Sequence, residues 1–341
     1  MIILGIETSC DETAAAVVRD GREVLSSVVY SQIAKHRPYG GVVPEIACRI
    51  HVEALPGVLA EAVETAGIKW SDIDRIAVTR GPGLASSLLV GVSAAKALAF
   101  RLGVPVVGVN HLEGHVASLF LSDGPDPERD CPMLVLLVSG GHSCLVMMDG
   151  PGRYKLLGQT VDDAAGEALD KGAKMLGLGY PGGPEIEQNA LGGNPKAVAF
   201  PRGRPRASTR TGSFDPEFCF SFSGLKTALL TRLDGPEVPM PDMAASYQEA
   251  VVGALIHTTR RALDAHQVKA FACVGGVARN KILRGALDRL AEERGMTLYL
   301  AAPAYCTDNA AMIAGAAGSP GRVEDAPNAR FEIKPNLALG A

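Results

Sequence analysis

Among seven cysteines the sequence has no C-x-x-C pair, and the number is odd. Cys144 and Cys273 sit inside apolar stretches, and buried, reduced thiols are the expectation for the set. No apolar run approaches the roughly 18 residues of a membrane span, and no basic segment precedes Met1-Ile2-Ile3-Leu4-Gly5-Ile6. A cytoplasmic protein with no membrane contact is therefore expected. Positive charge is not in excess either: the formal net charge is −4, so nothing global draws the chain to nucleic acid. Any RNA contact must come from a local basic patch or a partner. The 341 residues are 47% hydrophobic and 21% charged, the balance of a globular protein with a buried core. That length suits about two domains of roughly 100–200 residues each.

One pattern is written twice. Apolar runs at 2–6, 14–18 and 24–30 are separated by the turn Glu7-Thr8-Ser9-Cys10-Asp11-Glu12-Thr13 and by Asp20-Gly21. Short β-rich runs with such punctuation predict a three-strand meander. Runs at 133–138, 144–148 and 154–157 repeat it around Ser139-Gly140-Gly141-His142-Ser143 and Asp149-Gly150. Further along, a strand at 75–79 leads through Gly81-Pro82-Gly83 into a helix at 84–100 and a strand at 104–109. Its counterpart is a strand at 271–274, Gly275-Gly276, a helix at 280–290 and a strand at 297–301. The duplication predicts an α/β protein of the actin, Hsp70 and sugar-kinase class, two-lobed, with ligands in the inter-lobe cleft outside the strand ends. The polar, proline-bearing stretch 125–132 marks the boundary. Lobe I is expected at 1–128 and 305–341, with a helix at 309–317 returning to it, and lobe II at 129–304.

His111-Leu112-Glu113-Gly114-His115 follows the last strand of the first half. At about 100° per residue the two rings lie within roughly 40° of each other on one helical face, as a shared metal requires. Two surface or capping histidines would read the same way. Asp308 tips the balance, because it follows the last strand of the second half and the duplication carries it to the same crevice. Two histidines and a carboxylate suit non-haem iron and can also hold zinc. A metalloprotease motif is the competitor. Here Glu113 is two residues after the first histidine and points about 200° away from it.

Adjacent Asp11 and Glu12 suggest metal, proton or amine handling, or turn capping. The Ser139-Gly140-Gly141 turn is suited to offering amides to phosphate, although a tight hairpin uses glycine anyway. Val161-Asp162-Asp163-Ala164 opens an acidic helix start that complements a helix dipole, while Asp170 lies deeper and is placed to accept ribose or threonine hydroxyls. Lys196, Arg202, Arg204, Arg206 and Arg210 form a basic stretch, either solvated surface or a phosphate-backbone contact.

Taken in order, Gly5-Ile6-Glu7-Thr8-Ser9-Cys10-Asp11-Glu12-Thr13, Gly40-Gly41-Val42-Val43-Pro44-Glu45, residues 110–115, 137–142 and 162–170, Tyr180-Pro181-Gly182-Gly183-Pro184, Phe220-Ser221-Phe222-Ser223-Gly224-Leu225-Lys226-Thr227 and Cys306-Thr307-Asp308-Asn309 resemble the tRNA N6-adenosine threonylcarbamoyltransferase family. The resemblance spans nearly the whole chain. It implies that threonylcarbamoyl-AMP, made elsewhere from threonine, bicarbonate and ATP, is attacked by adenosine 37 of tRNAs reading ANN codons, with AMP leaving. It assigns a divalent metal, Fe(2+) or alternatively Zn(2+), to His111, His115 and Asp308. It assigns adenylate contacts to Leu137, Val138, Ser139, Gly140, Gly141, Asp170, Gly183 and Asn280, and activity to Asp11 and Glu12. As partners it implies tRNA, a paralogous actin-fold protein and a small ATPase, with the apolar stretch 84–100 as a docking surface or a core helix. Glu187 stands where relatives carry aspartate, and the stretch 202–210 is longer and more basic than theirs. A sugar kinase or chaperone shares the fold but needs no His-His-Asp metal, and a silent scaffold paralogue would lack both that triad and the Asp170 region.

Overall fold

The computed structural model describes residues 1–203, 205, 209, 211–319 and 331–340. It opens with β1 (Ile2–Glu7), β2 (Glu12–Arg19) and β3 (Glu23–Ser31), followed by α1 (Ile33–His36) and α2 (Pro44–Thr65). Then come β4 (Arg75–Gly81), α3 (Ala85–Leu102), β5 (Val106–Asn110), α4 (His111–Ala117) and α5 (Pro127–Asp130). The second series is β6 (Met133–Val138), β7 (Ser143–Gly150), β8 (Arg153–Gln159), α6 (Ala165–Met175), α7 (Gly182–Asn189), α8 (Ser223–Leu233), α9 (Met240–Ala265), β9 (Ala270–Val274), α10 (Lys281–Arg294) and β10 (Thr297–Leu300). The described chain closes with α11 (Pro303–Cys306) and α12 (Ala310–Gly318).

Two compact units result, one of residues 1–129, 150–154 and 301–341, the other of 130–149 and 155–300. The sheets have one topology, β3-β2-β1-β4-β5 and β8-β7-β6-β9-β10, so each strand of the first sheet has its counterpart in the second. In both, an antiparallel meander is extended by two parallel strands, and a crossover helix, α3 or α10, joins those two.

In the first unit the period of two along β1 sorts side chains into two cores. Leu4 and Ile6 join Leu55, Val58 and Leu59 of α2 and Val92 and Ala95 of α3. Ile3 points the other way, into Ala310, Ile313 and Ala314 of α12. Burial on both faces explains why β1 reads as a nearly continuous apolar run instead of an alternating one. Gly5 is required by close approach, since a Cβ there would lie 2.2 Å from the Ala310 carbonyl oxygen. In the second unit all six residues of β6 are buried, with Leu255 of α9 and Leu283 and Leu287 of α10 also in the core.

The expected first turn is shorter than the sequence suggested. Glu7 ends β1 and Glu12 begins β2, because the ladder continues through the pairs Glu7 with Ala14 and Glu12 with Ser31. The acidic helix start is also revised: α6 begins at Ala165, and Asp162 instead anchors the start of α8 from outside it. Its carboxylate accepts from the Phe222 amide at 2.7 Å and the Ser221 and Ser223 hydroxyls at 2.6 and 2.8 Å.

Candidate functional site

In the first unit α4 begins at His111 because Asn110 caps it, its Oδ1 accepting the Leu112 and Glu113 amides at 2.9 and 3.4 Å. His111 and His115 then share a face, and Gly114 between them lets α4 lie against α12. A Cβ at Gly114 would stand 2.7 Å from Ile313 Cδ1. With Gly5 admitting α12 to β1 from the other side, the start of that helix is drawn in. Asn309 caps it, accepting the Met312 amide at 3.0 Å, and leaves Asp308 facing the two rings. Asp308 Oδ1 is 3.2 Å from His115 Nε2 and 3.6 Å from His111 Nε2. The rings cross at 78° with centroids 4.7 Å apart, and one ligand atom from each residue falls within 4.8 Å of the others.

His115 decides what this cluster is for. It is wholly buried, and neither ring nitrogen has a hydrogen-bond partner; the approach to Asp308 is close but is not a hydrogen bond. Leaving a buried polar atom unpaired costs about 1–3 kcal/mol, a cost that a ligated cation removes. The nitrogen and oxygen donors converge as a divalent metal site requires, and the residues fit one.

Behind the triad lies a second layer that reading the sequence did not find. Glu7 is fully buried, and its Oε2 lies 3.1 Å from His111 Nδ1. It also accepts from Thr79 Oγ1 at 2.6 Å and, through Oε1, from the Ser9 amide at 2.5 Å. A carboxylate on one ring nitrogen fixes the tautomer and turns the other toward a metal. Burial pushes the Glu7 carboxyl up, but the adjacent His111 ring and the hydrogen bonds outweigh it and the net shift is downward. Burial likewise pulls His111 down, yet Asp308 and Glu7 together hold it at about 9. The cluster thus attracts a positive charge, a proton or a metal. The signal was available: an acid at the end of an apolar strand must be paired once buried.

Asp11 and Glu12 are in the same electrostatic field. Burial raises Asp11, and the Asp308 charge adds to it. Glu12 is pushed up to about 8 by burial and then by Asp11. Its Oε1 accepts from Ser31 Oγ at 2.9 Å, while Oε2 is buried without a hydrogen bond. Cys10 is raised well above the usual thiol range by burial and by Asp11, which removes it as a thiolate nucleophile at neutral pH.

The second unit gathers the remaining sequence candidates. Leu137 and Val138 end β6 in the core, and the turn Ser139-Gly140-Gly141 follows. Neither glycine has a positive φ, and a Cβ on either would meet nothing within 4 Å. The hairpin therefore does not need them, and their smallness leaves room for something to approach the backbone. Gly166 in the first turn of α6 abuts this loop, its amide donating to the Ser139 carbonyl at 3.2 Å, which sets a helix N-terminus beside the glycines. Asp170 Oδ1 accepts the Gly182 amide at 2.6 Å and so fixes the start of α7, where Gly183 lies. Asn280 caps α10 through Leu283 at 3.0 Å and donates to Glu187 and Gln248, each at 3.3 Å. Lys196 and Arg202 are exposed; Arg204, Arg206 and Arg210 lie outside the described residues.

The profile of a family described as tRNA N6-adenosine threonylcarbamoyltransferase matches residues 23–315. A protein of that description from Geotalea uraniireducens is 51% identical over 321 residues, covering 92% of this chain and 90% of the relative. Another, from Syntrophobacter fumaroxidans, is 54% identical over 330 residues and covers 93% of each. The chain belongs to the tRNA N6-adenosine threonylcarbamoyltransferase family. It is accordingly a transferase, and the kinase, chaperone and silent-scaffold readings fall away. The solved structure of component A of (R)-2-hydroxyglutaryl-CoA dehydratase from Acidaminococcus fermentans is only 16% identical, with a TM-score of 0.55 over 93% of this chain and 96% of that one. It shares the actin-like fold.

Proposed function

We propose that the chain transfers the threonylcarbamoyl group of threonylcarbamoyl-AMP to N6 of adenosine 37 in tRNAs reading ANN codons, with a divalent metal held by His111, His115 and Asp308. The observation that carries the metal assignment is the buried His115 ring, with no hydrogen bond at either nitrogen and with Asp308 Oδ1 3.2 Å from its Nε2, beside His111. The donor set favours Fe(2+), with Zn(2+) as the alternative. When bound, such an ion supplies Lewis-acid polarisation of the transferring group.

The protein's own groups do the rest. Glu7 orients His111 through its Nδ1, and Thr79 and Ser9 hold Glu7 in turn. The exposed Gly140 and Gly141 backbone of the Ser139-Gly140-Gly141 turn, with the α6 N-terminus behind it, receives the phosphate of the adenylate, while the Ser139 amide is spent on the His142 carbonyl at 2.8 Å. Asp170 and Gly183 bound the nucleoside and threonyl side of that pocket, and Asn280 with Glu187 shapes its α10 wall. Asp11, as the carboxylate, takes the proton lost from the attacking amine, and Glu12, held in its protonated form near neutrality, is a hydrogen-bond donor beside it.

Partners and place follow the same reading. Helix α3 buries Leu88, Val92 and Ala95 but leaves Leu89 and Phe100 exposed, and Val52 on α2 is exposed as well. These residues would receive a paralogous actin-fold protein, and a small ATPase would complete the assembly, in the cytoplasm where tRNA is modified. Contrary to the expectation that no apolar run approaches a membrane span, α3 is by length and composition the one described helix long and apolar enough to cross a membrane; we read it instead as half core and half docking face. Nucleoside analysis of tRNA from a strain depleted of this protein tests the function: loss of threonylcarbamoyladenosine is expected, and an unchanged nucleoside profile would overturn it.

A further inference from the structure

The Gly40-Gly41-Val42-Val43-Pro44-Glu45 segment and the histidines flanking it have no part in the chemistry above, yet they are tied to it. His36, Gln32, His51 and Thr13 are all fully buried in the first unit. The Val43 amide, at the N-cap of α2, lies 3.3 Å from His36 Nδ1. His36 Nε2 is 3.1 Å from Gln32 Oε1, and Gln32 Nε2 is 3.3 Å from His51 Nδ1. His51 Nε2 is 2.9 Å from the Cys10 carbonyl oxygen, and Thr13 Oγ1 is 2.7 Å from His51 Nδ1.

Both ends of this chain are backbone groups that cannot change roles. An amide N–H can only donate, so His36 Nδ1 accepts and the neutral ring donates from Nε2. A carbonyl can only accept, so His51 donates from Nε2 and accepts at Nδ1. The Gln32 amide is thereby oriented from both sides, its oxygen toward His36 and its nitrogen toward His51. The links from the Val43 amide to the Cys10 carbonyl run one way, with two branches: the Thr13 hydroxyl shares the single His51 Nδ1 lone pair with Gln32, and Gln32 Nε2 also lies 3.4 Å from the Ala47 carbonyl oxygen. Bonds in series reinforce one another in a low-dielectric interior. Burial also disfavours the charged form of His51.

We propose that His51, supported by Gln32, His36 and Thr13, is a positioning residue: it pins the Cys10 carbonyl and so fixes the backbone that carries the Asp11 and Glu12 carboxyls. The inference rests on the reading of Asp11 and Glu12 as working groups. Cys10 is the peptide immediately before Asp11, and Thr13 the residue immediately after Glu12, so His51 grips the pair from both sides. Among the described residues its ring makes no hydrogen bond to either carboxyl, and besides the direct pull of the Asp11 charge it reaches them through the backbone.

Two measurements test this. Nitrogen-15 NMR of the imidazoles at pH 7 should find His36 and His51 both in the Nε2–H tautomer; an Nδ1–H tautomer or an imidazolium at His51 overturns the directed chain. Steady-state transfer should show His51→Leu with kcat lowered at least about tenfold, the worth of one buried hydrogen bond lost near the reacting groups, at unchanged KM and metal content. His51→Gln, whose amide N–H replaces the Nε2–H, should recover most of that loss. Thr13→Val, nearly isosteric within β2, should lower kcat about threefold, and it decides the matter if His51→Leu does not fold. Wild-type kcat in folded His51→Leu or in Thr13→Val overturns the proposal. So does equal damage in His51→Gln and His51→Leu, or a metal loss matching the kcat loss. All transfer assays use the protein with the paralogous protein and ATPase proposed above; an inactive wild-type protein in that mixture would instead sink the transferase reading and leave the NMR result standing.

Discussion

At the scale of single residues, the metal triad and the carboxyl pair make separable demands. His115→Ala and Asp308→Ala each remove a convergent donor, so purified protein should lose most of its bound metal by elemental analysis, while Glu113→Gln should retain it because it lies around the helix from both rings. Glu12 carries a pH signature. Its folded value of about 8 lies above its ordinary value of 4.5, so between these the folded state binds the extra proton. Stability is then greatest at low pH and is lost as pH rises through that window, by at most about 1.4 kcal/mol per pH unit. Urea denaturation of chelated protein at pH 5, 6.5 and 8 should show this decline, and Glu12→Gln should flatten it.

Elements explain why the same residue type plays opposite parts in the second unit. Gly166 is structural: a Cβ there would lie 2.6 Å from the Ser139 oxygen and 2.8 Å from Gly140 Cα, so Gly166→Ala should destabilise the fold by about 1–3 kcal/mol. Gly141 meets nothing, and Gly141→Ala should leave stability within about 1 kcal/mol while weakening adenylate binding. Calorimetric titration beside denaturation curves separates the two. In the first unit the chain end serves the metal helix. Asn110, which caps α4, donates its side-chain amide to the Ala338 carbonyl at 2.8 Å, and Lys96 donates to the Phe331 carbonyl at 2.7 Å. Ending the chain at residue 330 should lower metal affinity several-fold by equilibrium dialysis, since a loosened cap releases His111 and His115 together.

For the molecule as a whole, a metal that binds only the folded first unit stabilises it by mass action, about 2.7 kcal/mol at a hundredfold excess over Kd. Chelation should therefore lower the melting temperature of wild-type protein and leave that of His115→Ala unchanged.

The duplicated strand order was legible because each half repeats one local grammar of apolar runs and turns, and local grammar is what a sequence displays. The i and i+4 spacing of His111 and His115 and the placement of Asp308 after an equivalent strand were legible for the same reason. The long helices α2 and α9 were not singled out, and Pro56 lies inside the first of them. Beyond the reach of the sequence were Glu7 behind His111, the part of Gly5 and Gly114 in drawing α12 onto the site, and the chain from Val43 to Cys10. Those depend on residues up to about three hundred positions apart meeting within a few ångströms, and periodicity carries no information about such distances. The sequence by itself determined which residue types and which repeated elements were available. Tertiary packing decided which buried polar groups found hydrogen-bond partners and which, like the His115 ring nitrogens, did not, because only a folded interior excludes the water that would otherwise satisfy them all.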